Sequence, residues 1–245
     1  MSATMVDDAR EVAAERLARV DWNSVSDALD AAGFAVVPSL LDAADCARVR
    51  DLYERGDLFR SRVVMARHGF GLGEYQYFAY PLPPLVAGLR TVLYERLAPV
   101  ANGWAQALGS DVRYPATHQV FLEHCHAQGQ QRPTPLLLRY GAGDFNRLHQ
   151  DLYGGVQFPL QAAVLLSAPG VSFDGGAFVL TESAPRRQTR AEVVPLAQGD
   201  MVIFAVNHRP TKSARGFSRV AMRHGVSTVT RGERYTLGVI LHDAT

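Results

Sequence analysis

RLHQDLYGG, residues 147–155, sets a histidine and an aspartate two positions apart and follows them with a glycine pair. On an extended strand, residues i and i+2 project to the same face. His149 and Asp151 therefore point the same way, as two ligands of one metal ion must. Gly154 and Gly155 read as a turn or bulge just behind them. Taken alone, such a pair is common surface chemistry, so its surroundings decide how it is read.

Those surroundings are short apolar runs. LLLRYG (136–141), QAAVLLS (161–167), GAFVLTE (176–182), RAEVVP (190–195), DMVIFAV (200–206), GVSTV (225–229) and RYTLGVILH (234–242) are separated by Gly, Pro or Asp clusters. Many short strands with turn signals predict an antiparallel sandwich or barrel. Upstream the pattern is helical. Residues 8–20 and 22–32 carry spaced apolar positions, and Gly33 is placed to cap the second helix. FAVVP (34–38) reads as a strand. Asp42 caps a third helix, with Asp45 in its first turn and Cys46, Val49, Leu52 and Tyr53 on one face. Pro84 opens a long helical segment to Leu108, which Pro99 must kink or interrupt. Residues 60–83 mix glycines, aromatics and basic residues without a period, as a long loop or hairpin lining a binding site does. The expected fold class is α+β. A single domain over 1–245 is expected, its mainly helical 1–130 packed on a β core over 131–245.

Composition excludes several classes. The 245 residues carry a net charge of +1, so no global field points to nucleic acid or membrane. Two cysteines, Cys46 and Cys125, make no disulfide framework or zinc knuckle and fit a reducing cytoplasm. The first residues lack the apolar core of a signal peptide, and no apolar run approaches a membrane span. His124, Cys125 and His126 stand close together but lack partners, and read as a polar helix end.

Two histidines and one carboxylate on one face of a metal, with positions left open, are the donor set of mononuclear non-haem iron(II). His149 and Asp151 supply two donors. His208 and His224 are candidates for the third. Arg234 stands ten residues after His224, and GVSTVTRGE between them reads as a strand, a turn at Gly232 and a return strand. Such a hairpin brings a guanidinium back to the metal, where it holds a carboxylate bidentately. His208 has no such partner and reads as an outer or substrate-side histidine.

HQD, a distal His and an Arg ten residues on, within a run of short strands, resemble the iron(II)/2-oxoglutarate-dependent dioxygenases. LLLRYGAGDFNRLHQD resembles the family strand whose tyrosine, about nine residues before the first ligand, contacts 2-oxoglutarate; Tyr140 stands there. GDMVIFAV and AGFAVVPSLLDAADCARVRDLYE resemble the strand before the distal histidine and the N-terminal strand and helix. The resemblance implies a double-stranded β-helix (jelly roll). It implies iron(II) on His149, Asp151 and His224, with Arg234 on the far carboxylate of 2-oxoglutarate and Tyr140 assisting. It also implies O2-driven decarboxylation of 2-oxoglutarate to succinate and CO2, coupled to substrate hydroxylation. Related halogenases replace the carboxylate ligand with a small residue, so Asp151 argues for hydroxylation.

For the substrate, NRLHQDLYGGVQFPLQAAVLLS, RHGVSTV and GERYTLGVILHD look like a bacterial subfamily grouped with the AlkB-type enzymes and assigned to oxidative demethylation of damaged DNA. That role implies a methylated DNA partner and a flipped base. Arg62, His68, Tyr75 and Tyr77 are then the candidates for stacking or binding it. Of Tyr75, Tyr77, Phe78 and Tyr80, one or two are expected to serve substrate and the rest the core. Charge agrees: Arg186, Arg187, Arg190, Arg209, Lys212, Arg215, Arg219 and Arg223 are opposed within that span only by Glu192 and Asp200. Two features depart. No second arginine follows Arg234 as in AlkB-type enzymes, and the Arg offset resembles the prolyl-hydroxylase-like branch. A hydroxylase of a small molecule, amino acid or protein side chain is the enzyme alternative. A jelly-roll binding protein with a relic metal site is the non-enzyme alternative.

Overall fold

The computed structural model describes residues 12–213 and 216–245. The first four residues of the helix expected at 8–20, and Arg215 of the basic run, lie outside them. Residues 12–18 are helical (α1) and lead to α2 (Trp22–Ala32). The Asp21 carboxylate accepts the Asn23 and Ser24 backbone N–H groups at the start of α2. Gly33 ends it in the left-handed region, φ 79°, with its N–H on the Leu29 carbonyl. Strand β1 (Phe34–Val37) follows, then α3 (Ala43–Asp51), capped by Asp42 as the sequence predicts.

The 60–83 segment is the hairpin of the two expected alternatives. Strands β2 (Phe59–Val64) and β4 (Glu74–Phe78) pair antiparallel, with a 3-10 turn (Met65–His68) and a short β3 (Gly71–Leu72) between them. Helix α4 (Pro84–Ala107) has Pro84 in its first turn and runs unbroken through Pro99, so of the expected kink or interruption the interruption does not occur. Burial explains its persistence. Val86, Leu89, Leu93, Leu97, Ala101 and Trp104, at helical spacing, are all in the main core, and this packing outweighs one missing backbone N–H. Helix α5 (His118–Ala127) follows, and His124–His126 close it as expected.

The rest is strand: β5 (Leu136–Tyr140), β6 (Phe145–His149), β7 (Leu160–Leu165), β8 (Phe173–Gly175), β9 (Phe178–Ser183), β10 (Arg190–Val194), β11 (Met201–Ala205), β12 (His208–Ser213), β13 (Gly216–Val226), β14 (Val229–Gly232) and β15 (Arg234–Val239). They form a seven-stranded sheet, β1-β11-β7-β15-β5-β4-β2, and a six-stranded sheet, β10-β9-β13-β6-β3 with β12 also on β13; β14 and β8 pair separately. The architecture is α+β, a double-stranded β-helix backed by helices.

Strand β11 shows how the layers stack. Met201, Ile203 and Ala205 join the core shared with α4, while Val202 and Phe204 join the cluster between the sheets with Phe178, Leu180 and Val194. Both faces are covered, so the strand reads as an unbroken apolar run. On β15 the alternation puts Tyr235, Leu237 and Val239 in the helix-backed core. Arg234, Thr236 and Gly238 are left to face the inside of the sandwich and line its cavity.

One expected connection is different. Arg234 does not return beside His224 in a hairpin. His224 lies on β13 of the smaller sheet, β14 leaves to pair with β8, and β15 joins the larger sheet between β7 and β5. The chain crosses from one sheet to the other around Gly232, at φ 75°, where a Cβ would lie 2.0 Å from the Ser172 carbonyl oxygen.

Candidate active site

The two sheets enclose a cavity of about 470 Å³. His149 closes β6 and lies directly opposite His224 on β13; their ring centroids are 4.2 Å apart. Three residue steps on β6, from Asn146 to His149, match two on β13, from Val226 to His224. This bulge turns both Asn146 and His149 into the cavity. Gly225 permits it: a Cβ there would come within 2.7 Å of the Asn146 carbonyl oxygen. The Arg147 carbonyl in the bulge accepts from His149 Nδ1 at 2.7 Å. That bond leaves the Nε2 lone pair free, the arrangement a metal-ligating imidazole needs. His224 is packed against Phe204 and Phe178, with centroids 4.7 and 6.1 Å away.

Asp151 lies just beyond β6 and is 8% exposed. Its Oδ1 is 3.5 Å from His149 Nε2 and its Oδ2 is 3.3 Å from His224 Nε2. One donor atom from each of the three residues lies within 4.8 Å of the others. Burial opposes ionisation of Asp151, but the His224 and His149 rings beside it hold the carboxyl well below the usual range. Burial, and then His149, push His224 down towards its neutral form. Gln150 ties the motif to the third donor's strand: its Nε2 donates to Asn207 Oδ1 at 2.9 Å and to the Met222 carbonyl at 2.8 Å.

Arg234 opens β15 and is 2% exposed. Gly176 leaves room for its side chain, since a Cβ there would stand 2.9 Å from Arg234 Cδ. NH1 donates to Thr236 Oγ1 at 2.6 Å, and the guanidinium carbon lies 5.7 Å from the Tyr140 ring centroid. Nε has no partner. Among the described residues no carboxylate pairs with this arginine. Burial pushes its pKa down to about 10, so it remains a cation at neutral pH. A buried cation without an anion is costly and marks a place for an anionic ligand.

The donor set fits iron(II) and 2-oxoglutarate. Two imidazoles and one carboxylate suit a divalent iron with open positions, and the unpaired guanidinium suits the far carboxylate of a dicarboxylate. Charges also balance. With neutral imidazoles, Asp151 and Arg234 sum to zero, and so do a divalent metal and a dianionic co-substrate, so the filled cavity buries no net charge.

The other sequence candidates separate. Tyr140, wholly buried, lines the cavity and receives a hydrogen bond from Asn146 Nδ2 at 3.3 Å. Tyr75 lines it too. Tyr77 stands behind, edge-on to Tyr75, with Arg60 4.5 Å above its ring. Phe78 is core, and Tyr80 bonds Asp243. Arg62 is turned away and ion-paired with Glu74, and His68 does not line the cavity but stacks on Phe70, which does. His208 opens β12 and lines a separate cleft with Trp104 and Arg219. His126 bonds Asp243 at 2.8 Å, and Arg139 bonds Glu233. In the basic run, Arg209 is buried on Glu182 and Arg190 is paired with Glu192, whereas Arg186, Arg187, Lys212, Arg219 and Arg223 are exposed. Reading from sequence missed Gln161, Tyr153, Asn146, Thr236 and Phe70. Gln161 had a signal: it is the one polar residue of QAAVLL, a strand buried throughout.

Comparison with known proteins agrees with this geometry. An oxidoreductase of the 2-oxoglutarate–Fe(II) oxygenase family from Burkholderia pseudomallei superposes with a TM-score of 0.54 at 16% identity, over 93% of each chain. A prolyl hydroxylase from Trichoplax adhaerens, solved with a hypoxia inducible factor peptide, gives 0.56 at 14% identity, over 97% of this chain and 92% of that one. A PKHD-type hydroxylase of Pseudomonas putida is 28% identical over 209 residues, 81% of this chain and 74% of the relative. An uncharacterized protein of Mycobacterium tuberculosis is 44% identical over 167 residues, 68% of this chain and 72% of the relative. The fold is the one that the 2-oxoglutarate–Fe(II) oxygenases share, and its cavity brings together two histidines and one carboxylate, a donor set that suits iron(II). Residues 73–244 match the family described as "Oxygenase, catalysing oxidative methylation of damaged DNA", and the chain belongs to that family.

Proposed function

We propose that His149, Asp151 and His224 hold the iron, that Arg234 with Thr236 and Tyr140 anchors 2-oxoglutarate, and that the substrate is an N-methylated base of damaged DNA. The single observation that carries the chemistry is the buried, anion-free Arg234 in one cavity with the three donors. Iron bound there supplies the activation of dioxygen. The protein's part is to orient the co-substrate through Arg234, aim the His149 ring through its Nδ1 bond to the Arg147 carbonyl, and exclude water with Phe178, Phe204, Leu136 and Leu138. Hydroxylation of an N-methyl group gives N-CH2OH, which collapses to N-H and formaldehyde.

The family description supports a nucleic-acid substrate, and so does the cavity mouth. Phe70, 48% exposed, lines the mouth with the exposed Leu148 and Leu152, and one face of its ring is stacked with His68. Arg147, whose backbone N–H donates to the Phe70 carbonyl, and Arg67, three residues before Phe70, are both exposed. An aromatic platform flanked by cations suits an unstacked base and its phosphates. Buried, unpaired Cys46 and Cys125 support a reducing, cytoplasmic setting, and no described helix is long and apolar enough to cross a membrane. Because both sheets furnish site residues, the chain acts as one unit.

The likeness to hydroxylases favours a second reading, hydroxylation of a protein or amino acid side chain. One assay separates the two. Methylated single-stranded oligonucleotides yield formaldehyde and succinate in equal amounts under the first reading. Succinate coupled to a 16 Da gain on a peptide, with none from oligonucleotides, establishes the second.

A further inference from the structure

Asp151 is held by two donors that the metal reading does not use. Tyr153 Oη donates to Oδ1 at 2.6 Å, and Gln161 Nε2 donates to Oδ2 at 2.7 Å. A carboxylate has two oxygens and about four acceptor sites. One donor on each oxygen fixes the plane of the group and leaves the remaining lone pairs for the metal. Without them the carboxylate is free to rotate, or to chelate through both oxygens and fill a position the co-substrate needs.

We propose that Tyr153 is a positioning residue for Asp151, with Gln161 as the second clamp. The inference rests on the metal reading above. The two donors differ in origin. Gln161 stands on β7, a rigid central strand. Tyr153 belongs to the same irregular segment as Asp151, two residues on, and folds its hydroxyl back onto it. That segment would wander without an anchor, and Tyr153 has three. Its carbonyl accepts the Thr245 N–H at 3.3 Å. Its ring is edge-on to Tyr77 at 6.1 Å, and on another side it meets the His242 ring, also at 6.1 Å.

The test is Co(II) titration without 2-oxoglutarate, followed by the visible ligand-field bands. Outer partners of metal ligands are worth about 10–100-fold in affinity. Tyr153→Phe, which removes only the hydroxyl, is expected to weaken Co(II) about tenfold or more and to alter the bands, while the metal-free melting temperature stays near wild type. Gln161→Met is expected to do the same independently, and the double variant to bind weaker than either. Wild-type affinity and bands in a folded Tyr153→Phe protein overturn the inference and leave the metal reading standing. A wild-type protein that takes up no Co(II) overturns the metal reading and this inference with it.

Discussion

Arg234 lies directly opposite Tyr140 across the β15–β5 pair, so one register position fixes both groups proposed to meet the co-substrate. Neither is on the sheet that carries the two histidines. Arg234→Met should therefore leave metal binding intact and remove co-substrate binding. Loss of a buried charge pair costs roughly 2–5 kcal/mol, which would abolish the rise in melting temperature that 2-oxoglutarate produces in the wild type. The metal-free variant should be at least as stable as wild type, because it no longer buries an unpaired cation. Differential scanning fluorimetry with and without 2-oxoglutarate checks both statements.

The three donors should be individually indispensable. His149→Ala, Asp151→Ala and His224→Ala are each expected to abolish the visible charge-transfer band of the anaerobic iron(II)–2-oxoglutarate complex. His208→Ala should leave that band unchanged, since His208 lines another cleft. A band that survives His224→Ala and vanishes in His208→Ala would refute the ligand assignment.

Gly225→Ala tests the bulge. A methyl group there must displace the Asn146 carbonyl from 2.7 Å, and the backbone that moves carries His149. The expected result is a loss of about 1–3 kcal/mol of stability, together with weaker Co(II) binding. Wild-type metal affinity in this variant would show that the ring positions do not depend on the bulge.

Acid should destabilise the protein through two buried histidines. His118 Nε2 contacts the Leu241 carbonyl at 2.9 Å, and burial, then Arg90, hold its pKa down to about 3; His242 is lowered likewise to about 4. The unfolded chain binds these protons near the ordinary value of 6.5, so it gains protons that the native state refuses. Stability is present above 6.5 and falls as pH drops towards the native values, each histidine contributing ~1.4 kcal/mol per pH unit in its window. Urea unfolding between pH 7 and 5 should show a shallower slope for His118→Gln by that amount. Identical slopes for the two proteins would contradict the assignment.

For the nucleic-acid reading, Phe70→Ala should weaken binding of methylated single-stranded DNA by about 1–3 kcal/mol without changing Co(II) affinity. Arg147→Ala should reduce the salt dependence of that binding. Fluorescence anisotropy across a salt series measures both.

The strand run and the clustering of the candidate donors were legible because their signals are local: apolar stretches bounded by turns, His-x-Asp at a strand end, and an arginine at a fixed offset. The route to Arg234 was not. GVSTVTRGE has the pattern of a strand, a turn and a strand, but that pattern does not say which sheet each strand joins. Only the pairing of β14 with β8 reveals the crossing. The 60–83 segment hid its strands because β2, a 3-10 turn, β3 and β4 succeed one another within twenty residues, too quickly for any period to repeat. Arg62 and His68 looked available as basic residues among aromatics. Glu74 and Phe70 take them up, and partners that meet in a fold leave no trace in sequence spacing. Tyr153 carried no signal because its role depends on the loop that turns it back onto Asp151.

The crossing of the chain from β13 to β15 also bears on when the proposed centre is complete. Its imidazoles ride on one layer and its guanidinium on the other, so neither layer alone would hold both the metal and its co-substrate. On that reading a chain whose layers have not yet met would be chemically disarmed. Once they meet, a ligand spanning them would act as a rivet, and the event that completes the centre would also lock the sandwich shut.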